Sequence, residues 1–278
     1  MLAQRVLTAL VLLALLLPAL FADSPLPFLL VTLVLMVPAA WEWSHLNSGG
    51  GWRAWLCSAL MLLACAAWLM LGIRVGGAQP LWWAALAGWV LLGAAALKGG
   101  VGQWAGLPAS LRWLAGLALL WTAWSAMAHA RVIGINFLLS VLCIVWAADI
   151  AAYFGGRRWG CRKLAPAISP GKSWAGVYSG LVGTLVLALV WMAAEARLPV
   201  DSPSFFFGMV QRHGWLPMLL AVVLLAALSV VGDLFESLVK RAAGAKDSGR
   251  LLPGHGGVLD RVDALLPTLP AALALWSV

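Results

Sequence analysis

Apolar residues in this chain neither alternate nor keep to one helical face. They run on for a membrane's thickness, break at a short polar or glycine-rich stretch, and resume. Runs of about 18 or more such residues mark transmembrane helices. The pattern predicts spans at 1–24, 26–42, 54–73, 80–97, 111–129, 133–154, 174–195, 215–235 and 263–278. The last is short and carries Pro267 and Pro270. The first, MLAQRVLTALVLLALLLPALFADS, has the arginine, apolar run and small residues of a secretory signal. So many spans follow it that it reads as an uncleaved first helix. The predicted fold is all-α, a polytopic transmembrane helix bundle of about nine helices. Residues 1–130 hold the first five spans, and 131–278 hold the rest together with polar segments 155–173 and 236–262.

Composition agrees with this reading. The chain is 63% hydrophobic and 10% charged, against roughly 45–50% and about 25% in a soluble domain. A net charge of +8 would suit nucleic acid, but no basic stripe occurs outside the loops, so no nucleic-acid partner is expected. Lys and Arg instead mark cytoplasmic loops and meet anionic headgroups. With the N-terminus inside, alternating spans put fourteen of the 18 basic residues on the cytoplasmic side, leaving Arg74, Arg131, Arg197 and Arg212 outside. The reverse orientation inverts that bias. Cys57, Cys65, Cys143 and Cys161 show no CxxC spacing and read as small buried hydrophobes. Tryptophans near span ends (Trp41, Trp43, Trp52, Trp55, Trp82, Trp83) read as an interfacial belt. Gly176, Gly180 and Gly183, at helical spacing, read as a close helix contact.

Charge then concentrates. Of the 28 charged residues, eight fall in the 27 positions of SLVKRAAGAKDSGRLLPGHGGVLDRVD, Ser237 to Asp263. Asp260 and Asp263 are three apart, as are Asp233 and Glu236, so each pair shares a face on a helix. Carboxylates converging on one point suit Mg²⁺, which takes oxygen ligands and keeps room for phosphates. The competing reading is a set of ion pairs with Lys240, Arg241 and Arg261. Lys240, Arg241, Lys246, Arg250 and Arg261 are suited to neutralising phosphates. The glycines of PGHGG let backbone N–H groups approach an anion, and His255 between them can bond a phosphate or move a proton. In the other segment SPGKS is not a P-loop, because position 166 is Pro where Gly is required. It still sets a lysine just before a helix, where an anion can bind. The chemistry indicated is phosphate transfer at a membrane face.

These residues resemble a known family. The pattern S-x-x-K-R-x4-K-D-x-G-x3-P-G-H-G-G-x2-D-R-x-D is met from Ser237 to Asp263 and is similar to the signature of the phosphatidate cytidylyltransferases, or CDP-diacylglycerol synthases. GDLFES (Asp233, Glu236), KLAPAISPGKSW (Lys163, Ser169, Pro170, Lys172) and ADIAAYFGGRRWG (Asp149, Tyr153) resemble further elements of that family. Together these cover roughly the C-terminal half. Ile150, Ser173 and Ala175 depart from the family pattern, while its acids are intact.

The resemblance implies that CTP and phosphatidic acid give CDP-diacylglycerol and pyrophosphate, within phospholipid biosynthesis. It makes 131–278 the catalytic region and implies Mg²⁺ held by Asp233, Asp260 and Asp263, with Lys240, Arg241 and His255 also catalytic. Ser169, Lys172, Lys246, Asp247, Gly256, Gly257, Arg261, Asp149 and Lys163 are then expected to bind substrate. It further implies a homodimer in a bacterial inner membrane, with the site facing the cytoplasm. Two rivals remain: a CTP-dependent kinase of a membrane lipid alcohol, with Asp149 or His255 as base, and a lipid transporter, which the lack of a second copy of either polar segment disfavours.

Overall fold

The computed structural model describes residues 2–71 and 78–277. The chain runs through α1 (Leu2–Leu20), α2 (Leu26–Ser48), α3 (Trp52–Leu71), α4 (Gln79–Gly88), a π-helical turn (Trp89–Gly93), α5 (Ala94–Gly106), α6 (Ala109–Ile133) and α7 (Ile135–Trp159). Strands β1 (Lys163–Ala165) and β2 (Ser169–Ser173) follow, then α8 (Trp174–Glu195), α9 (Phe205–His213), α10 (Trp215–Ala242), α11 (Leu259–Val262) and α12 (Leu265–Trp276). Arg74, expected on the outer side, lies outside the described residues.

Among the described residues six helices are long and apolar enough to cross a membrane: α2, α3, the continuous Gln79–Gly106, α7, α8 and α10. The other three expected spans also fall on helices. α1 is shorter, α6 carries Arg112, His129 and Arg131, and α12 has 12 residues, nearly all buried. The helices outrun the apolar runs that predicted them. α7 reaches Trp159 and α10 reaches Ala242, so Glu236 and Lys240, beyond the predicted run, stand on helical turns with Asp233. Two features are additions to the all-α expectation: the β1–β2 hairpin and the short helix α9.

Contacts between helix ends sort the chain into two poles. At one, Arg5 and Thr8 of α1 donate to the carbonyls of Gly254 and Pro253, each at 2.9 Å, and Trp43 of α2 donates to Arg112 O at 2.9 Å. At the other, Arg131 holds Leu20 O and Ala22 O, Gln79 holds Ser277 O and Arg212 holds Trp276 O. Arg131 and Arg212, assigned to one side by charge counting, therefore lie at the pole opposite Arg5 and the glycine turn.

One hydrophobic core runs from Ala19 to Ala274 and crosses the expected boundary at 130. α7 and α8 pack most closely. A Cβ on Gly176 or Gly180 would come within 3.0 Å of the carbonyls of Ala152 and Ala148, and one on Gly183 within 2.5 Å of Ala151 Cβ. Small residues admit such approach where van der Waals contact and not water drives association. The tryptophans divide. Trp52 and Trp55 are exposed, as a belt requires, but Trp43 and Trp82 are buried. Trp43, Trp89 and Trp104 instead surround Phe235 with ring centroids 5.1–6.1 Å apart, fixing the stretch of α10 that carries the acids. All four cysteines are free thiols.

Candidate active site

The first polar segment is ordered by its own backbone. β1 and β2 pair antiparallel, Lys163 opposite Ser173 and Ala165 opposite Ser169, and Ile168 N–H closes the turn on Ala165 O at 3.1 Å. Ser173 leaves the strand in extended conformation and accepts from Gly176 N–H at 3.2 Å, capping α8. The hairpin thereby delivers Lys172 to Asp233 of α10, Nζ to Oδ2 2.7 Å. Lys163 is exposed at the hairpin's start and Ser169 is half-buried.

Behind that ion pair a cavity of about 470 Å³ opens between α7, α8 and α10. Asp149, Tyr153, Arg157, Lys172, Ser173 and Asp233 line its polar part; Ala148, Val177, Leu181, Ala226 and Val230 line the rest. Tyr153 accepts from Arg157 at 3.1 Å. One end is thus charged, and the other is surfaced by aliphatic residues of membrane helices.

The second segment has almost no regular structure between Ala242 and Leu259. Gly244 takes φ +67° as α10 ends. Lys240, on the last turn, pairs with Glu236 and with Asp260 at 2.7 Å. Asp260 also accepts from Ser248 N–H at 3.1 Å and Gly257 N–H at 2.8 Å. Arg241 joins the two segments, donating to Ile168 O at 3.2 Å and Ala245 O at 3.0 Å. Arg261 donates to His255 O at 2.6 Å. Gly254 and Gly256 take φ +76° and +86°. A Cβ on Gly256 would press on Asp260 Oδ2 at 2.8 Å, and one on Gly257 on Ser248 Oγ at 2.0 Å. Lys246 and Asp247 are exposed. His255 is half-buried and is not among the cavity-lining residues.

The acids separate by environment. Burial would raise the Asp260 carboxyl, but contact with Glu236 and Lys240 and the Gly257 N–H outweigh it and hold the group down at about 2. Asp263, at the end of α11, accepts from Ala264 N–H at 2.7 Å and feels the Asp233 charge. Asp233 and Asp263 are brought within electrostatic reach because Gly232 has no side chain. A Cβ there would lie 2.5 Å from Asp263 O and 2.8 Å from Pro267. Two carboxylates within electrostatic reach of each other offer the oxygen donors a hard cation takes. Asp260 is engaged by Lys240 and the two amides, and no group of three or more His, Cys, Asp or Glu is close enough together to hold an ion among the described residues. Of the expected ion pairs the one through Lys240 forms, whereas Arg241 and Arg261 donate to backbone carbonyls; Asp233 pairs instead with Lys172.

Glu42 is a buried carboxylate at the second segment that sequence reasoning passed over. It belongs to α2, is fully buried, and accepts from Ser248 Oγ, Val258 N–H and Leu259 N–H at 2.9–3.2 Å. Its signal was present: a carboxylate ending an apolar run needs a partner or a purpose.

A family model described as "Cytidylyltransferase family" matches residues 3–278. A Pseudomonas aeruginosa phosphatidate cytidylyltransferase is 37% identical over 288 residues, covering 100% of this chain and 98% of that protein. A Brucella suis protein of the same name is 36% identical over 252 residues, 86% of this chain and 80% of its own. A third, from Haemophilus influenzae, is 46% identical over 142 residues, 51% of this chain and 46% of its own. A match across essentially the whole chain, onto a structure whose polar segments meet at one membrane pole, places this protein in the cytidylyltransferase family.

Proposed function

We propose that this protein transfers the cytidylyl group of CTP to phosphatidic acid in a membrane, forming CDP-diacylglycerol and releasing pyrophosphate. The observation that carries the reading is the cavity between α7, α8 and α10: charged at Asp149, Arg157, Lys172 and Asp233, aliphatic beyond, and open among membrane helices. A diacyl phosphate fits such a gradient, headgroup at the ion pair and tails among Val177, Leu181 and Val230.

An oxygen of the lipid phosphate attacks the α-phosphorus of CTP, and the bond from that phosphorus to the β-phosphate oxygen breaks, its electron pair leaving with pyrophosphate. The nucleophile is already anionic, so no strong base is needed. The difficulty is bringing two anions together; repulsion between unit charges about 4 Å apart reaches several kcal/mol in a poorly solvated site. Lys172 and Lys240, each now held by carboxylates, are placed to exchange those partners for phosphate oxygens. Lys163, Lys246 and Arg261 add positive charge at the mouth, while Arg241 keeps the hairpin and the glycine segment together. Asp233, Asp263 and Asp260 are the residues that would hold Mg²⁺, which would supply charge neutralisation and polarise phosphorus.

The charge bias supports a multi-pass protein of a bacterial inner membrane, nine passes, N-terminus and site in the cytoplasm. The family resemblance supports a homodimer, which cross-linking in membranes tests. The activity is tested with purified protein, phosphatidic acid and CTP labelled at the α- or γ-phosphate. Metal-dependent entry of α-label into lipid is expected, abolished by a chelator and restored by Mg²⁺. Transfer of γ-label alone would make the protein a lipid kinase, and lipid flux without turnover a transporter.

A further inference from the structure

Glu42 is at 0% exposure in the last third of α2, more than two hundred residues from every group it holds. Its Oε2 accepts from Ser248 Oγ at 3.1 Å and Leu259 N–H at 2.9 Å, and its Oε1 from Val258 N–H at 3.2 Å. Val258 and Leu259 open α11, which carries Asp260. Ser248 is grasped from both sides, its hydroxyl by Glu42 and its N–H by Asp260. A chain of contacts thus runs from Glu42 through Ser248 and Asp260 to Lys240 and Glu236. Glycine shapes the seat: a Cβ on Gly249 would lie 2.3 Å from Glu42 Oε1, and one on Gly257 2.5 Å from Oε2. Three donors and two missing side chains converge on one carboxylate that no part of the proposed transfer uses.

We infer that Glu42 is a positioning residue for the transfer, holding residues 248–259 so that Asp260 and Lys240 are presented to the phosphates. The inference rests on the proposed activity for its kinetic readout and on geometry alone for its structural one. Glutamine cannot replace the carboxylate: one amide oxygen can keep Ser248 and Leu259, but the NH₂ then faces the Val258 N–H, donor against donor. A lost acceptor in a buried, connected network leaves the groups it served disordered.

The experiment compares the wild-type chain with Glu42→Gln and Ser248→Ala in detergent micelles containing phosphatidic acid. Kinetics of CDP-diacylglycerol formation, thermal unfolding and amide hydrogen exchange are measured on each. Residues supporting a site from outside typically change activity about 10–100-fold. We expect kcat of Glu42→Gln to fall by about that factor, per folded molecule and well below its unfolding temperature, while KM for phosphatidic acid stays within about twofold, because the lipid cavity is untouched. Exchange across 248–259 is expected to quicken about tenfold or more while the 163–173 hairpin is unchanged. Ser248→Ala, which removes one donor and leaves the carboxylate its two amides, is expected to show the same pattern more weakly. A variant that unfolds earlier but keeps wild-type kcat shows a purely structural Glu42 and overturns the inference. Should Glu42→Gln fail to fold, unchanged kcat and exchange in Ser248→Ala overturn it equally. If the wild type makes no CDP-diacylglycerol, the proposed activity fails, and the exchange data alone uphold or overturn the positioning role.

Discussion

The two polar segments meet at one pole but are ordered in opposite ways. Residues 163–173 fold on themselves: a paired hairpin, its turn closed by its own amide, its end capping the next helix. Residues 244–259 make almost no regular structure and are held by side chains from elsewhere, Glu42 from α2, Arg5 and Thr8 from α1, and Asp260 from α11. A self-ordered segment positions a cation on its own strength. A borrowed order ties the glycine-rich backbone to the N-terminal half of the chain.

Several substitutions would break or sharpen this contrast. The largest effect is expected where both segments converge. Asp233→Asn and Asp263→Asn each should lower turnover by about a hundredfold or more, since charge stabilisation by a bound ion is worth several kcal/mol and each 1.4 kcal/mol is about tenfold. Membrane insertion should be intact. Near-normal turnover in both variants, assayed with labelled CTP, would remove the carboxylate pair from the mechanism. Next comes Gly257→Ala, whose methyl meets Ser248 and Glu42. About tenfold or greater loss of kcat is expected, with faster amide exchange confined to the second segment; exchange spreading to the hairpin would show that the two are not independently ordered.

Smaller effects separate the segments by the source of their support. Ser173→Ala removes the α8 cap, worth about 1 kcal/mol, and should loosen the hairpin end while sparing 244–259. Thr8→Val removes one hydrogen bond to Pro253, about 0.5–1.5 kcal/mol, and should do the reverse, read as faster exchange near Pro253 with little change in turnover. If Thr8→Val loosened the hairpin instead, the segments would share one scaffold.

Much of the site was legible because its residues are chemically out of place. Charges and glycines clustered in an apolar chain mark Asp233, Lys240, Asp260 and Asp263 without any coordinates. The close packing of α8 on α7 was legible in the spacing of Gly176, Gly180 and Gly183. What could not be read is partnership. For Asp260 the sequence left a metal and an ion pair with Lys240, Arg241 or Arg261 both open, and only the fold shows Lys240 and two amides upon it. Glu42 is bound to residues 206–217 positions away, a separation on which no local pattern bears. The hairpin was missed because its strands are three and five residues long and β2 contains Pro170 and Gly171, both poor strand formers. Trp43 was assigned to the interface by position along the chain, whereas its direction, toward Phe235, is a tertiary fact.

The arginine near the start of α1 and the glycine turn it holds are 249 positions apart. In a chain made from its N-terminus, Arg5, Thr8 and Glu42 therefore exist long before their partners are synthesised. The reaction centre is sealed only when the last helices arrive, so an interrupted or wrongly threaded copy holds its earliest polar groups bare at the membrane edge.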